Sequence, residues 1–223
     1  MNNENNMTNA GEQLNILIVD DHPMLRRGVK QLLELETGLD AIGEASSGQE
    51  ALAIAEQLEP DLILLDLNMK GMDGIQTLKA MRDKDIYSRI VMFTVSDDHD
   101  DVIAALKAGA DGYVLKETEP EELVSYIRQA ATGTMAISDK LAAVLASEIG
   151  NRKPSKERSV DGLTQRERQI LKQISAGMSN KMIASKLDIA EGTVKVHVKN
   201  LLKKLKMRSR VEAAIWAMEN NLN

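Results

Sequence analysis

Five side chains in this sequence stand where a short apolar run ends: Asp20 and Asp21 after NILIV, Asp66 after LILL, Thr94 after RIVMF, and Lys116 after YVL. Carboxylates that converge repel one another unless a cation sits among them, and a site built from oxygen ligands alone points to a hard ion, Mg²⁺. The chain has no cysteine, and its three histidines, His22, His99 and His197, lie far apart. Zinc fingers and thiol nucleophiles are therefore excluded, and His22 reads as a helix-start residue rather than a ligand. A metal seat, a carboxylate nucleophile, a hydroxyl and an ammonium are the parts phosphoryl transfer needs, the cations neutralising the equatorial oxygens while the carboxylate takes up the group.

A second constellation is cationic. Lys195, Lys199 and Lys203 recur every four residues, so on a helix they form one stripe, flanked by Thr193 and Val196. Val194, Val198, Leu201, Leu202 and Leu205 fall on the opposite face, where they can pack. The overall charge of -6 conceals this asymmetry: residues 1–150 hold 12 basic against 27 acidic side chains, and residues 151–223 hold 16 against 7. A small basic domain is the footprint of a polyanion binder, and an acidic one repels nucleic acid. Aromatic residues are 2% of the chain, too few for single-strand stacking platforms, so double-stranded DNA is the expected partner.

These residues must be held by two kinds of scaffold. In the first half, apolar runs at 15–20, 39–45, 61–66, 89–94 and 111–115 predict five buried strands, and the amphipathic stretches 23–35, 48–58, 74–82, 100–108 and 120–131 predict helices between them. Ser47 and Asp73 are candidate N-caps, Pro23 and Pro120 suit first helical positions, and Gly109 suits a helix stop. Alternation of strand and helix implies right-handed crossovers and a doubly wound five-stranded parallel sheet, an α/β fold whose ligands gather at the carboxyl ends of the strands. One further helix is expected at 138–149, followed by a polar linker. Beyond it only helical patterns remain: Thr164-Gln-Arg-Glu167 is a capping box opening a helix to about Ala176, Ser179 can cap 180–187, Asp188 to Ala190 make a tight turn, 192–206 is the stripe-bearing helix, and Ser209 can cap a fourth. The expected layout is a domain at 14–131, a linker with one helix at 132–162 and an all-α helix-turn-helix domain at 163–223. Residues up to about Gln13 are expected to be disordered. No apolar run is long enough to span a membrane and the start lacks signal-peptide character, so a cytoplasmic protein without membrane contact is expected.

The segments VDDHP, LLDLNMKGMDG, FTVS and GYVLK resemble the flavodoxin-like receiver domain of two-component systems. That resemblance implies that Asp66 accepts a phosphoryl group from a sensor histidine kinase. It also implies that Asp20, Asp21, Asp66 and the main-chain carbonyl of Asn68 hold Mg²⁺, that Thr94 and Tyr113 are a switch pair, and that Lys116 contacts the phosphoryl group. Lys70 and Glu117 stand where such domains usually carry proline.

Helix, short turn, helix is the geometry in which a second helix enters the major groove while the first braces it. LTQRERQIL, NKMIASKLDIA, GTVKVHVKNLLKKL and RSRVEAA resemble the LuxR-type helix-turn-helix of the NarL/FixJ family, and within that family the nitrate/nitrite regulators. The resemblance implies a phosphorylation-controlled transcription regulator, not an enzyme, in which phosphorylation releases the basic domain for promoter DNA and favours a homodimer. Lys195, Val196 and Lys199 would reach bases or nearby phosphates, Arg166 and Lys181 the backbone. Gly192 stands where a small hydroxyl or alanine is usual. Two rivals share these features: a Mg²⁺-dependent phosphohydrolase, which usually has a second acid where Asn68 stands, and an adaptor that binds no DNA.

Overall fold

The computed structural model describes residues 13–132, 136–137, 159–178, 180–220 and 222. The expected helix at 138–149, the Ser179 cap and residues 1–12 lie outside them. Strands β1 (Leu14–Val19), β2 (Leu39–Ala45), β3 (Leu62–Leu65), β4 (Arg89–Thr94) and β5 (Gly112–Leu115) form an all-parallel sheet, and a two-residue β6 (Ala136–Ile137) adds to its edge, in the order β2-β1-β3-β4-β5-β6. Helices α1 (Pro23–Glu34), α2 (Gly48–Leu58), α3 (Gly74–Asp83), α4 (His99–Ala108) and α5 (Pro120–Thr132) alternate with the strands. Covered strands need no polar face, which is why LILL in β3 is buried at every position. Successive side chains point to opposite faces, so Leu17, Val19, Ile63 and Leu65 pack with α2, α3 and α4, while Ile16, Ile18, Leu62 and Leu64 pack with α1 and α5.

Register then fixes the site. Val19 pairs with Leu65, and Thr94 pairs with Leu115. The ladder runs one residue further in each case: the Asp66 amide donates to Val19 at 2.8 Å, the Lys116 amide to Thr94 at 2.8 Å, and the Asp20 amide to Ala45 at 3.1 Å. Asp20, Asp66, Thr94 and Lys116 are thus held side by side at one edge of the sheet by main-chain bonds. The caps act as the sequence requires: Ser47 accepts from the Glu50 amide, Asp73 from the Gln76 amide, and Gly109 takes the left-handed φ of +105° that ends α4.

The second domain is all helical among its described residues: a short 3₁₀ turn (Val160–Gly162), then α6 (Gln165–Ser175), α7 (Asn180–Leu187), α8 (Glu191–Lys204) and α9 (Arg210–Glu219). The capping box is complete, the Thr164 hydroxyl accepting from the Glu167 amide while Glu167 accepts from the Thr164 amide. Ser209 caps α9 by accepting from the Glu212 amide. Val194, Val198, Leu201, Leu202 and Leu205 pack against Ile170, Leu171, Ile174 and Trp216, so the apolar side of α8 faces inward as its spacing requires. Among the described residues no helix is long and apolar enough to cross a membrane.

Candidate functional site

At the carboxyl edge of the sheet, Asp20 and Asp66 are almost wholly enclosed, 2% and 1% exposed, and Asp21 is half-buried. One ligand atom from each of Asp20, Asp21 and Asp66, together with a ring nitrogen of His22, lies within 4.8 Å of the others. Lys116 Nζ reaches into this group, 2.6 Å from Asp20 Oδ2 and 2.9 Å from Asp66 Oδ2. One ammonium against three carboxylates leaves the pocket anionic. Asp66 Oδ1 is buried without a hydrogen-bond donor. Buried acids in that state call for a further cation, so the donor set fits a hard divalent ion. Asn68 sits exposed in the loop two residues past Asp66.

His22 starts α1, as the sequence predicts, and also stands beside the acidic group. It is the N-cap of α1, and its Nδ1 lies 3.1 Å from Asp20 Oδ1 and 2.9 Å from Asp21 Oδ1. The acids it meets in space are the two that directly precede it in the chain, an arrangement that spacing between histidines does not reveal. Gly74 is a second residue whose role the sequence hides. A Cβ there would collide with the Asp66 carbonyl and stand 2.7 Å from Leu67 Cα, so only glycine lets α3 start against the end of β3.

Thr94 and Tyr113 are both fully buried and meet at Ser96. The Ser96 amide donates to Thr94 Oγ1 at 3.3 Å, and the Tyr113 hydroxyl donates to the Ser96 carbonyl at 3.0 Å. Burial pushes the Tyr113 phenol up to about 12, so it stays protonated and a donor. Ser96 Oγ in turn donates to Asp101 on α4 at 2.5 Å. The pocket hydroxyl is therefore connected to the Tyr113 ring and to α4 through one residue that no residue-type pattern singles out.

The lysines of the cationic stripe are exposed, and two of them meet acids of the first domain. Lys195 Nζ is 2.5 Å from Asp61 Oδ1, and Lys203 Nζ is 3.1 Å from Asp85 Oδ2, both acids belonging to the first domain. Lys199 and Thr193 are exposed, and Val196 is 57% exposed. Arg166 is bound within its own domain, donating to the Leu187 carbonyl. Tyr87 packs against the helical core, and Gly109 approaches Arg208 so closely that a Cβ on it would stand 2.8 Å from Arg208 Cβ. Asp61, Asp85, Tyr87 and Gly109 all lie at the amino edge of the sheet, opposite the acidic pocket.

Comparison with known proteins agrees with this division. Residues 16–128 match the response regulator receiver domain, and residues 161–217 match the bacterial regulatory proteins of the luxR family. The chain is 53% identical over 211 residues to the nitrate/nitrite response regulator protein NarL of Escherichia coli, covering 95% of this chain and 98% of that one. It is 48% identical to the nitrate/nitrite response regulator protein NarP of Escherichia coli, over 92% and 94%. Among solved structures, a LuxR-family two-component response regulator from an Aurantimonas species superposes with a TM-score of 0.59 at 34% identity, covering 62% of this chain and 99% of that chain.

Proposed function

The chain belongs to the response regulators that join a receiver to a LuxR-type helix-turn-helix domain, a family of phosphorylation-controlled DNA-binding regulators, and on that basis we propose that Asp66 is its phosphoryl acceptor. The observation that carries this reading is the convergence of Asp20, Asp21 and Asp66 around one point with Lys116 bonded to two of them. The donor is a sensor histidine kinase. An Asp66 oxygen attacks phosphorus, the donor's phosphorus–nitrogen bond breaks, and an acyl phosphate forms. Asp20, Asp21, Asp66 and the Asn68 carbonyl are the residues that would hold Mg²⁺, which when bound supplies positive charge for the carboxylates and the transferring oxygens. Lys116 leaves its two carboxylates for the new phosphoryl oxygens. Thr94 donates to another of those oxygens, giving up its contact with the Ser96 amide and so shifting the carbonyl that holds Tyr113.

Release of the basic domain is the output. Lys195 and Lys203 are bonded to receiver acids here, so the groove-reading face and the receiver compete for the same cations. Once free, Lys195, Val196, Lys199, Thr193 and Lys203 face promoter DNA, and a homodimer forms when the receiver is phosphorylated. The working boundaries are a receiver at 14–131, a linker at 132–162 and a DNA-binding domain at 163–223, in a cytoplasmic protein. Likeness to NarL and NarP supports nitrate or nitrite as the signal. The test is labelling of the purified chain by a small phosphodonor, with and without Mg²⁺, followed by selection of bound sequences from random duplex DNA. Mg²⁺-dependent labelling that sharpens DNA selection is expected; labelling indifferent to Mg²⁺ would sink the pocket assignment.

A further inference from the structure

The acidic pocket has one neighbour whose donor atom is not an oxygen. His22 is the N-cap of α1, yet its side chain makes no cap hydrogen bond, and its ring is turned instead toward the carboxylates. Its Nδ1 faces Asp20 Oδ1 and Asp21 Oδ1 together, and the His22 amide donates to Asp20 Oδ1 at 2.8 Å, which anchors the residue against the pocket. Lys116 takes Oδ2 of Asp20 and Oδ2 of Asp66. Asp66 Oδ1 and Asp21 Oδ1 are buried and receive no hydrogen bond, the second although a ring nitrogen stands 2.9 Å away. In an octahedron with bonds of about 2.1 Å, neighbouring ligand atoms stand about 3 Å apart. The separations of Nδ1 from the two acids, 3.1 and 2.9 Å, are of that length. A neutral imidazole with its proton on Nε2 presents the Nδ1 lone pair beside the carboxylates, where only a cation can satisfy all of them.

We propose that His22 Nδ1 is a ligand of the pocket's ion, and that this nitrogen biases the pocket toward a borderline divalent ion of the first transition row, such as Mn²⁺, over Mg²⁺. The proposal rests on the pocket assignment above and adds an imidazole to it. Oxygen ligands suit Mg²⁺, whereas an imidazole nitrogen suits the transition ions, so one such ligand among carboxylates shifts the preference without excluding Mg²⁺. The His22 side chain is 69% exposed and stands at the mouth of the pocket. It can therefore complete the coordination from outside while Lys116 keeps its place between Asp20 and Asp66.

The experiment is electron spin-echo spectroscopy of Mn²⁺ bound to the full, unphosphorylated chain, with affinities taken from the signal of free Mn²⁺ and from its displacement by Mg²⁺. The parent is expected to show the nitrogen modulation of a bound imidazole, and His22→Gln to lose it. In that variant Mn²⁺ affinity should fall roughly tenfold, while Mg²⁺ affinity changes less than about twofold. His22→Asn, which keeps a residue suited to a helix N-cap, carries the same expectations should His22→Gln unfold. The ligation is overturned if the parent shows no nitrogen modulation, if the variant retains it, or if the ratio of Mn²⁺ to Mg²⁺ affinity is the same in both. Asp21→Asn tests the acids separately: it should weaken binding of both ions, and unchanged binding would instead overturn the pocket on which the proposal rests.

Discussion

Lys195 and Asp61 are 134 residues apart along the chain, and their charged atoms are 2.5 Å apart in space. The lysine belongs to the stripe that the helix-turn-helix would lay on DNA, and the aspartate sits just before β3. A DNA phosphate drawn to this ammonium meets the like charge of the carboxylate already bound to it. Binding to DNA and closure onto the receiver are thus opposed at the level of a single side chain.

Asp66→Asn is expected to abolish acyl-phosphate formation with a small phosphodonor, because an amide oxygen is not a competent nucleophile here. Intact-mass measurement reads it directly. Stoichiometric labelling of the variant would remove Asp66 from its proposed role.

Asp61→Asn and Asp85→Asn should each strengthen DNA binding by the unphosphorylated protein, by roughly two- to fivefold, since each deletes a partly exposed ion pair that competes with DNA. Gel retardation at low salt gives the affinities. The phosphorylated protein, already open, should show no such gain.

Lys199→Ala and Lys195→Ala should both weaken DNA binding by the phosphorylated protein and reduce its salt dependence by about one unit of log–log slope per lost phosphate contact. Their behaviour separates before phosphorylation: Lys195→Ala also frees the Asp61 clamp, so its loss of affinity is partly offset. Identical slopes in parent and both variants would place the DNA interface elsewhere.

Glu167→Gln tests the capping box. Burial pushes this carboxyl up, but donors from Lys204 and Thr164 outweigh it and hold the group below its ordinary value of 4.5. A lowered carboxylate contributes stability above its unfolded pKa and loses it as pH falls through the folded one. The parent should exceed the variant by about 1 kcal/mol at neutral pH, and the gap should close below about pH 4.5. Denaturant unfolding of the full chain followed by Trp216 fluorescence reports it, the single tryptophan being in this domain.

Gly74→Ala should destabilise the receiver by roughly 1–3 kcal/mol, because the added methyl meets the Asp66 carbonyl and Leu67. Thermal unfolding and phosphodonor labelling should fall together. A variant of parental stability would mean that α3 can shift without disturbing Asp66.

Much of this was legible from the residues because each local signal had one dominant cause. LILL and RIVMFT can be little other than covered strands, and a carboxylate or hydroxyl directly after such a strand inherits its place from the ladder, as Asp66 and Thr94 do. Thr164 and Glu167 announce their own helix start. What stayed hidden depends on distance in sequence. Ser96 matters because Thr94 and Tyr113 converge on its main chain, and main-chain groups carry no residue-type signature. His22 is a ring whose neighbours are two adjacent acids, an arrangement that rules based on repeated histidines do not test. The stripe was read correctly as polar and outward, yet its partners Asp61 and Asp85 come from another domain, and no periodicity along one helix can report that.

The interdomain seam and the acidic pocket occupy opposite rims of the sheet, and six-residue β4 runs from one to the other, a span of about 20 Å. A kinase therefore need not pry the protein apart to reach Asp66: loading can come first and unsheathing afterwards, as two separable events. A population that is charged yet still shut is then a natural intermediate, and its lifetime would set how promptly transcription answers the stimulus.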